Sequence, residues 1–312
     1  MATTRAKTRI KGGALLAVLW LSAALAAVAF SLANTVRGEV ERAGTAVDGA
    51  RAYYLAAGGV ERTILHMLNA RWGTPYVKPT AASFDLLEFP AGQVHVAIVP
   101  ETAKMNVNTA RPEDLFRLFV ALEVPPERAR EIAIGIVAQR TPGPPSPTFQ
   151  HPRASFEEIE ELLSVPGMTP EIFYGTYQRR EDGALAPRGG AADCLSVFGT
   201  QDRFDANSAH PAVLAAAGLP PDIVAAVVAR RAVAPFANDA ELAKFLNAGP
   251  ALGRLRVGGN SIFTLRATAR LRLADGRFSD VRRSVGAMVK FMPAGYDAPY
   301  HILRWYDTAW SQ

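Results

Sequence analysis

Between Lys11 and Arg37 lie 25 residues without a charged side chain. About 20 helical residues, rising 1.5 Å each, cross the hydrocarbon core of a bilayer. Residues 15–33 are rich in Leu, Ala and Val, and only Ser22 and Ser31 are polar. Four cations precede the run (Arg5, Lys7, Arg9 and Lys11) and no acid does. Cations on that flank hold the N-terminus in the cytoplasm, which puts the rest of the protein across the membrane. The same residues admit a second reading. Ala24-Leu25-Ala26 fits a signal-peptidase site, with maturation at Ala27. Against that, the apolar run continues past this point and leads without Pro into VRGEVERAGTAVDGARAYYLAAGGVERTILHMLNA.

This continuation is amphipathic. Val36, Val40, Ala43, Val47, Ala50, Tyr54, Ala57, Ile64 and Leu68 recur at helical spacing, with Arg37, Glu39, Glu41, Arg42, Asp48 and Arg51 between them. The pattern predicts one helix of about 55 residues, apolar all round at its start and burying one stripe afterwards. Gly44, Gly49, Gly58 and Gly59 weaken it by up to about 1 kcal/mol each relative to Ala. They also let a neighbouring helix or sheet approach closely.

Bulk composition narrows the function. Lys and Arg number 34 against 29 Asp and Glu, a net charge of +5. The leader supplies four of those cations, so the remainder is close to neutral and gives no footprint for nucleic acid. The single cysteine, Cys194, excludes an intrachain disulfide and a CxxC site, and reads as a small buried residue. His66, His95, His151, His210 and His301 are scattered, and no HExxH, GxSxG, P-loop or dinucleotide motif is present. The sequence therefore points away from an enzyme.

Further along, RWGTPYVKPTAASFDLLEFPAG reads as loop and residues 93–100 as a strand. SIFTLRATARLRLADGRFSDVRRSVGAMVKFM predicts two strands joined at Ala274-Asp275-Gly276-Arg277, and YHILRWYD one more. The helical stretch between them contains a repeat. Asn108-Thr109-Ala110 matches Asn207-Ser208-Ala209, Pro112 matches Pro211, and Pro125-Pro126-Glu127 matches Pro220-Pro221-Asp222. The spacing from Asn to the Pro pair differs by four residues, so the first helix of the first copy should be one turn longer. Thr109 and Ser208 are the expected N-caps. Phe156, Glu161 and Leu162 match Phe236, Glu241 and Leu242 in a following helix. The Pro- and Gly-rich linkers 141–148 and 180–193 are expected to be exposed.

A short basic leader ending in KGG, followed by such a helix, resembles the type IV pilin and type II secretion pseudopilin class. In that class a prepilin peptidase cuts on the cytoplasmic side directly after a Gly, which here means between Gly13 and Ala14. Most members carry Glu at the fifth mature position, whereas this sequence has Val18. That departure, together with a large helical insertion entered through Asn-x-Asn-Thr-Ala, resembles the family of minor pseudopilin K. The resemblance implies an α+β fold: a pilin-like long helix on a small antiparallel sheet, carrying a large inserted helical repeat domain. The parts are a leader (1–13), a transmembrane helix (14–35), its amphipathic half (36–72), a sheet from 73–100 and 259–312, and the insertion (101–258).

The resemblance also implies a single-pass inner-membrane protein with a periplasmic domain that caps the pseudopilus. Its partners would be minor pseudopilins I and J, and H, with Val18, Val36, Val40, Val47 and Tyr54 as the helix interface. It would need no cofactor, although the class often holds calcium in oxygen-rich loops. Asp193, Asp202 and Asp205 are the candidates here, with Asp275 and Asp280 beside the hairpin, and none matches a ligand motif residue by residue. Two alternatives stay open: a minor pilin of a type IV pilus, and a membrane-anchored helix-hairpin-helix DNA binder. For the second, the turn sequences SVPGMTPEIF and AAAGLPPDIV lack the Lys or Arg that phosphate contact requires.

Overall fold

The computed structural model describes residues 13–71, 83–141, 155–179, 183–247, 249–293 and 295–308. The leader cations, residues 72–82, all but Thr141 of the first Pro-rich linker and residues 180–182 of the second lie outside them.

Helix α1 (Gly13–Arg71) is a single helix of 59 residues. Its sequence holds no Pro and is dominated by Ala, Leu and Val, so nothing interrupts the hydrogen-bond ladder. From 13 to 48 no residue is buried. It is the one helix among the described residues long and apolar enough to cross a membrane. From Gly49 onward one face packs on a sheet.

Two strands follow, β1 (Ser83–Phe89) and β2 (Gly92–Pro100), paired antiparallel through a turn at Pro90-Ala91. The expectation of loop through this region is corrected for β1. Its flanking prolines and short apolar content hide a strand that is held by pairing with β2, a non-local gain that single-sequence reading does not weigh.

The backbone then leaves the sheet. The first copy of the repeat comprises β3 (Met105–Asn106), α2 (Pro112–Ala121), α3 (Pro126–Arg140) and a 3₁₀ turn, Ile159–Ser164. After it come α4 (Pro170–Tyr174), the hairpin β4 (Thr176–Arg179) and β5 (Leu185–Arg188), α5 (Ala191–Cys194) and β6 (Leu195–Ser196). The second copy comprises β7 (Phe204–Asp205), α6 (Pro211–Ala216), α7 (Pro221–Val233), α8 (Asp239–Phe245) and β8 (Leu255–Arg256). The return to the sheet is through β9 (Ile262–Arg272), β10 (Phe278–Phe291) and β11 (Tyr300–Tyr306). The main sheet has the order β1-β2-β9-β10-β11, antiparallel throughout. The hairpin between β9 and β10 turns where Asp-Gly predicts it, with Gly276 at φ 82°.

The repeat is real at the level of individual bonds. Asn108 donates from Nδ2 to Phe156 O at 2.9 Å and accepts from Phe156 N–H at 2.7 Å. Asn207 makes the same two bonds to Phe236, both at 2.9 Å. Arg140 donates to the carbonyls of Val107 and Ala110, and Arg231 to those of Ala206 and Ala209. The matched Glu161 and Glu241 each accept from backbone N–H groups just upstream. Helix α2 has 10 residues and α6 has 6, the expected one-turn difference. In each copy the Pro pair separates two helices, its second Pro opening the later one.

Two details differ from expectation. The N-caps are Arg111 and His210 rather than Thr109 and Ser208. Asn106 and Asp205 explain this, because each accepts backbone N–H groups two or three residues ahead and closes a turn before the helix starts. The second linker is also not simply exposed. It contains β5 and α5, and Ala191 and Cys194 are fully buried. Gly190 is required there by closeness: a Cβ would sit 2.3 Å from the Gly175 nitrogen.

Two apolar cores result. One joins Ala56, Val60, Ile64 and Leu68 of α1 to the inner face of the sheet. The other, which includes Phe119, Phe173, Phe204 and Leu242, fills the insertion. Glu101 and Lys104 tie the two regions together. Lys104 Nζ lies 3.2 Å from Glu101 Oε1 and 3.0 Å from Ala192 O, while Thr264 on β9 donates to Glu101 at 2.8 Å.

Gly59 faces β2, and a Cβ there would lie 2.5 Å from Val94 Cγ1, whereas Gly58 has nothing within 4 Å. Gly59→Ala should therefore lower stability by about 1–3 kcal/mol, and Gly58→Ala should raise it by up to about 1 kcal/mol, read from urea midpoints. Burial alone would raise the Glu101 pKa, but the Lys104 charge and the hydrogen bonds from Ser196, Thr264 and Lys104 outweigh it and hold it below the usual value. A depressed carboxylate stabilises the fold above its unfolded pKa and loses that contribution as pH falls through the folded one. Stability should thus fall in acid below the ordinary glutamate range. Glu101→Gln should flatten that part of a stability-against-pH curve and lower the plateau above it.

Candidate functional site

The long helix carries two apolar faces, and the fold uses only one. At 3.6 residues per turn, Val18, Val36, Val40, Val47 and Tyr54 fall within about 40° of one another. The sheet-facing residues Ala52, Ala56 and Thr63 point about 160–200° away. The expected single stripe is corrected accordingly. Its upper members form an outward face, while Ile64 and Leu68 turn into the sheet-side core. Val36, Val40, Val47 and Tyr54 are exposed at 52, 65, 49 and 74%. Leu65, also exposed, lies on the same outward line, and the sequence pattern does not single it out. Its neighbours at three and four residues, Glu61 and Arg62, are charged and mask it. Gly58, with open space above it, sits on this face too.

From Val18 to Gly58 this outward face is apolar: valines, one aromatic and the open Gly58, with exposed Glu61 interrupting it before Leu65 and charged pairs along its borders. Arg42 bonds Glu39 at 2.5 Å and Arg51 approaches Asp48 at 3.6 Å, both exposed. Such surface pairs contribute little to stability. A contiguous apolar strip with a polar border is the form of a helix-docking surface. Gly13 and Ala14, between which the resemblance implies a peptidase cut, are exposed at the start of the described part of the same helix.

The candidate calcium ligands do not assemble. Among the described residues no group of three or more His, Cys, Asp and Glu could hold a metal ion. Asp205 spends its oxygens on the N–H groups of Asn207 and Gly258, the Ser208 hydroxyl and the Asn260 amide. Asp193 accepts from Gly190 N–H at 3.0 Å. Asp275 closes the hairpin by bonding Arg277. Asp193, Asp205 and Asp275 thus organise turns.

The remaining reactive groups are structural as well. Cys194 is fully buried, with Sγ 3.2 Å from His210 Nδ1. Burial pushes the thiol pKa well up and the His210 pKa down, so neither ion is favoured. The hairpin-like turns put Gly167 and Gly218 at φ 82° and 100°. At Gly167 the nearest neighbour of an added Cβ would be the Glu131 carboxylate, which repels phosphate.

No protein-family model matches the sequence, and no curated protein matches it. Among solved structures the fold is similar to that of a subunit of the GspK-GspI-GspJ complex from the type 2 secretion system of enterotoxigenic Escherichia coli. The likeness spans 88% of this protein and 99% of that subunit, with a TM-score of 0.50 and 16% identity. It establishes the fold: a long N-terminal helix on an antiparallel sheet with an inserted helical region.

Proposed function

We propose that this protein is a minor pseudopilin of a type II secretion system, of the K kind, which works by assembly rather than by chemistry. One observation carries the proposal: the apolar helix face opposite the sheet, exposed from Val18 through Val36, Val40, Val47 and Tyr54 to Leu65. A helix that serves only its own domain has no need of that second face. The fold it shares with a subunit of the GspK-GspI-GspJ complex supports the same reading.

In this proposal a prepilin peptidase cuts between Gly13 and Ala14. Residues 14–33 then hold the protein in the inner membrane with the remainder in the periplasm. The outward face of α1 docks the helices of subunits I and J, with H below them. Val18 fits the top position, since a buried carboxylate without a partner amine there would be costly. The insertion between β2 and β9 adds width on one side of the sheet, so the subunit caps a slender filament rather than joining its shaft. Growth beneath it would push folded cargo outward.

Val40 is exposed and lies far from both cores, so Val40→Asp should leave the thermal transition unchanged. It should reduce co-purification of I and J at least about tenfold, the cost of burying an unpaired charge. Undiminished capture would remove this face as the interface. Mass spectrometry of the membrane-extracted protein should find Ala14 as the first residue, and only when prepilin peptidase is present. A start at Ala27, or an uncut polypeptide, would refute the assignment.

A further inference from the structure

Where the end of β11 meets the flank of α1, two aromatic donors converge on one carboxylate oxygen. Tyr53 donates its hydroxyl to Asp307 Oδ1 at 2.7 Å, and Trp305 Nε1 donates to the same oxygen at 3.1 Å. The bond to Asp307 holds the Tyr53 pKa above its usual value, so the tyrosine keeps its proton and the acid stays the acceptor. Tyr54 packs nearly perpendicular to Tyr53, with ring centroids 5.3 Å apart, and is 74% exposed. Asp307 is exposed, and among the described residues its second oxygen has no hydrogen-bond partner and no cation pairs with it. Arg283, whose guanidinium lies over Gly49 on the same flank of α1, does not reach it. Asp307 therefore carries an unneutralised negative charge among aromatic groups, at the border of the face that α1 leaves open.

That face has two different borders. Tyr53 stands about 100° round the helix from Tyr54, and Ala46, Ala50 and Ala57 fill the arc between them. On the opposite border stand Arg51 and Arg62, both exposed. A helix laid on the outward face can come close over the alanines, whereas on the other side it would have to cover charges. It therefore settles toward the alanine side, which brings it beside Tyr54 and Asp307.

We propose that this corner anchors an arginine of the docked partner helix, its guanidinium over the Tyr54 ring and its N–H groups on the free oxygen of Asp307. Arginine is the occupant rather than lysine, because its planar head stacks on an aromatic ring while its fork meets a carboxylate. Tyrosine and arginine together are the composition of an interface anchor. The inference rests on the assembly reading, since it takes the outward face of α1 as the place where partner helices lie.

The test uses the full-length protein in detergent and its co-purification with I and J. Asp307→Asn keeps an oxygen for Tyr53 and Trp305 and removes only the charge, so a purely structural role for Asp307 predicts no effect. The anchor predicts an unchanged thermal midpoint and capture reduced about fivefold, the worth of one exposed contact of this kind. Raised salt should weaken capture by the wild type more than capture by this variant. Tyr54→Leu, which keeps the site apolar but removes the ring, should reduce capture about threefold. Asp307→Arg should lose capture, and changing one arginine of the partner's long helix to aspartate should restore it. Full capture by Asp307→Asn or by Tyr54→Leu, or an Asp307→Arg protein that no such change rescues, would overturn the inference. In those cases capture by the wild type, and its loss in Val40→Asp, still uphold the assembly reading. If the wild type captures neither subunit, that reading fails and the anchor with it.

Discussion

The structure depends on how closely α1 lies against the sheet. Ala52, Ala56, Gly59 and Thr63 present almost no side chain to β2 and β9, so the backbone of the helix can settle onto Val94 and its neighbours. Close packing of this kind fixes the rotation of the helix about its own axis, because only one of its faces is small enough to fit. With the rotation fixed, the line from Val18 to Tyr54 can only point outward. The proposed docking surface is thus a by-product of the surface that folds the protein.

The insertion solves a different problem. Each half of it begins with a very short strand, turns at an Asx residue, enters a helix through Pro, and is locked by an Asn that both donates to and accepts from the backbone of a distant Phe. Two hydrogen bonds on one planar amide fix position and orientation together. They satisfy backbone groups that would otherwise be buried unpaired beside Phe156 and Phe236. The two halves pack into a single core, with α2 against α6. This makes the repeat one cooperative body rather than two beads on a string.

Much of this is legible in the sequence, and what is not has a physical cause. The long helix, the strand at 93–100, the Asp-Gly hairpin, the final strand and the one-turn difference between α2 and α6 are readable, because each is set by local spacing. Strand β1 is not, since its stability comes from β2. The stripe on α1 reads as one line where two exist, because periodicity gives spacing but not which side a sheet will occupy. Helix caps read from residue type fall two residues early, since Asn106 and Asp205 close a turn through Asn108–Thr109 and Asn207 before either helix starts. The corner at Asp307 joins Tyr53 to a residue 254 positions away, and no local signal could assemble it.

One consequence follows from the spacing of Val18, Val36 and Tyr54. They are separated by 18 residues each, which is five complete turns, so they share one generatrix of the helix cylinder from the wholly apolar run into the amphipathic half. A rigid rod of this kind acts as a vernier. In the proposed assembly, a neighbour that slips by one turn at Val18 is displaced by about 5.4 Å at Tyr54 as well. The amphipathic half would thereby read the same offset a second time, about 50 Å further along the rod.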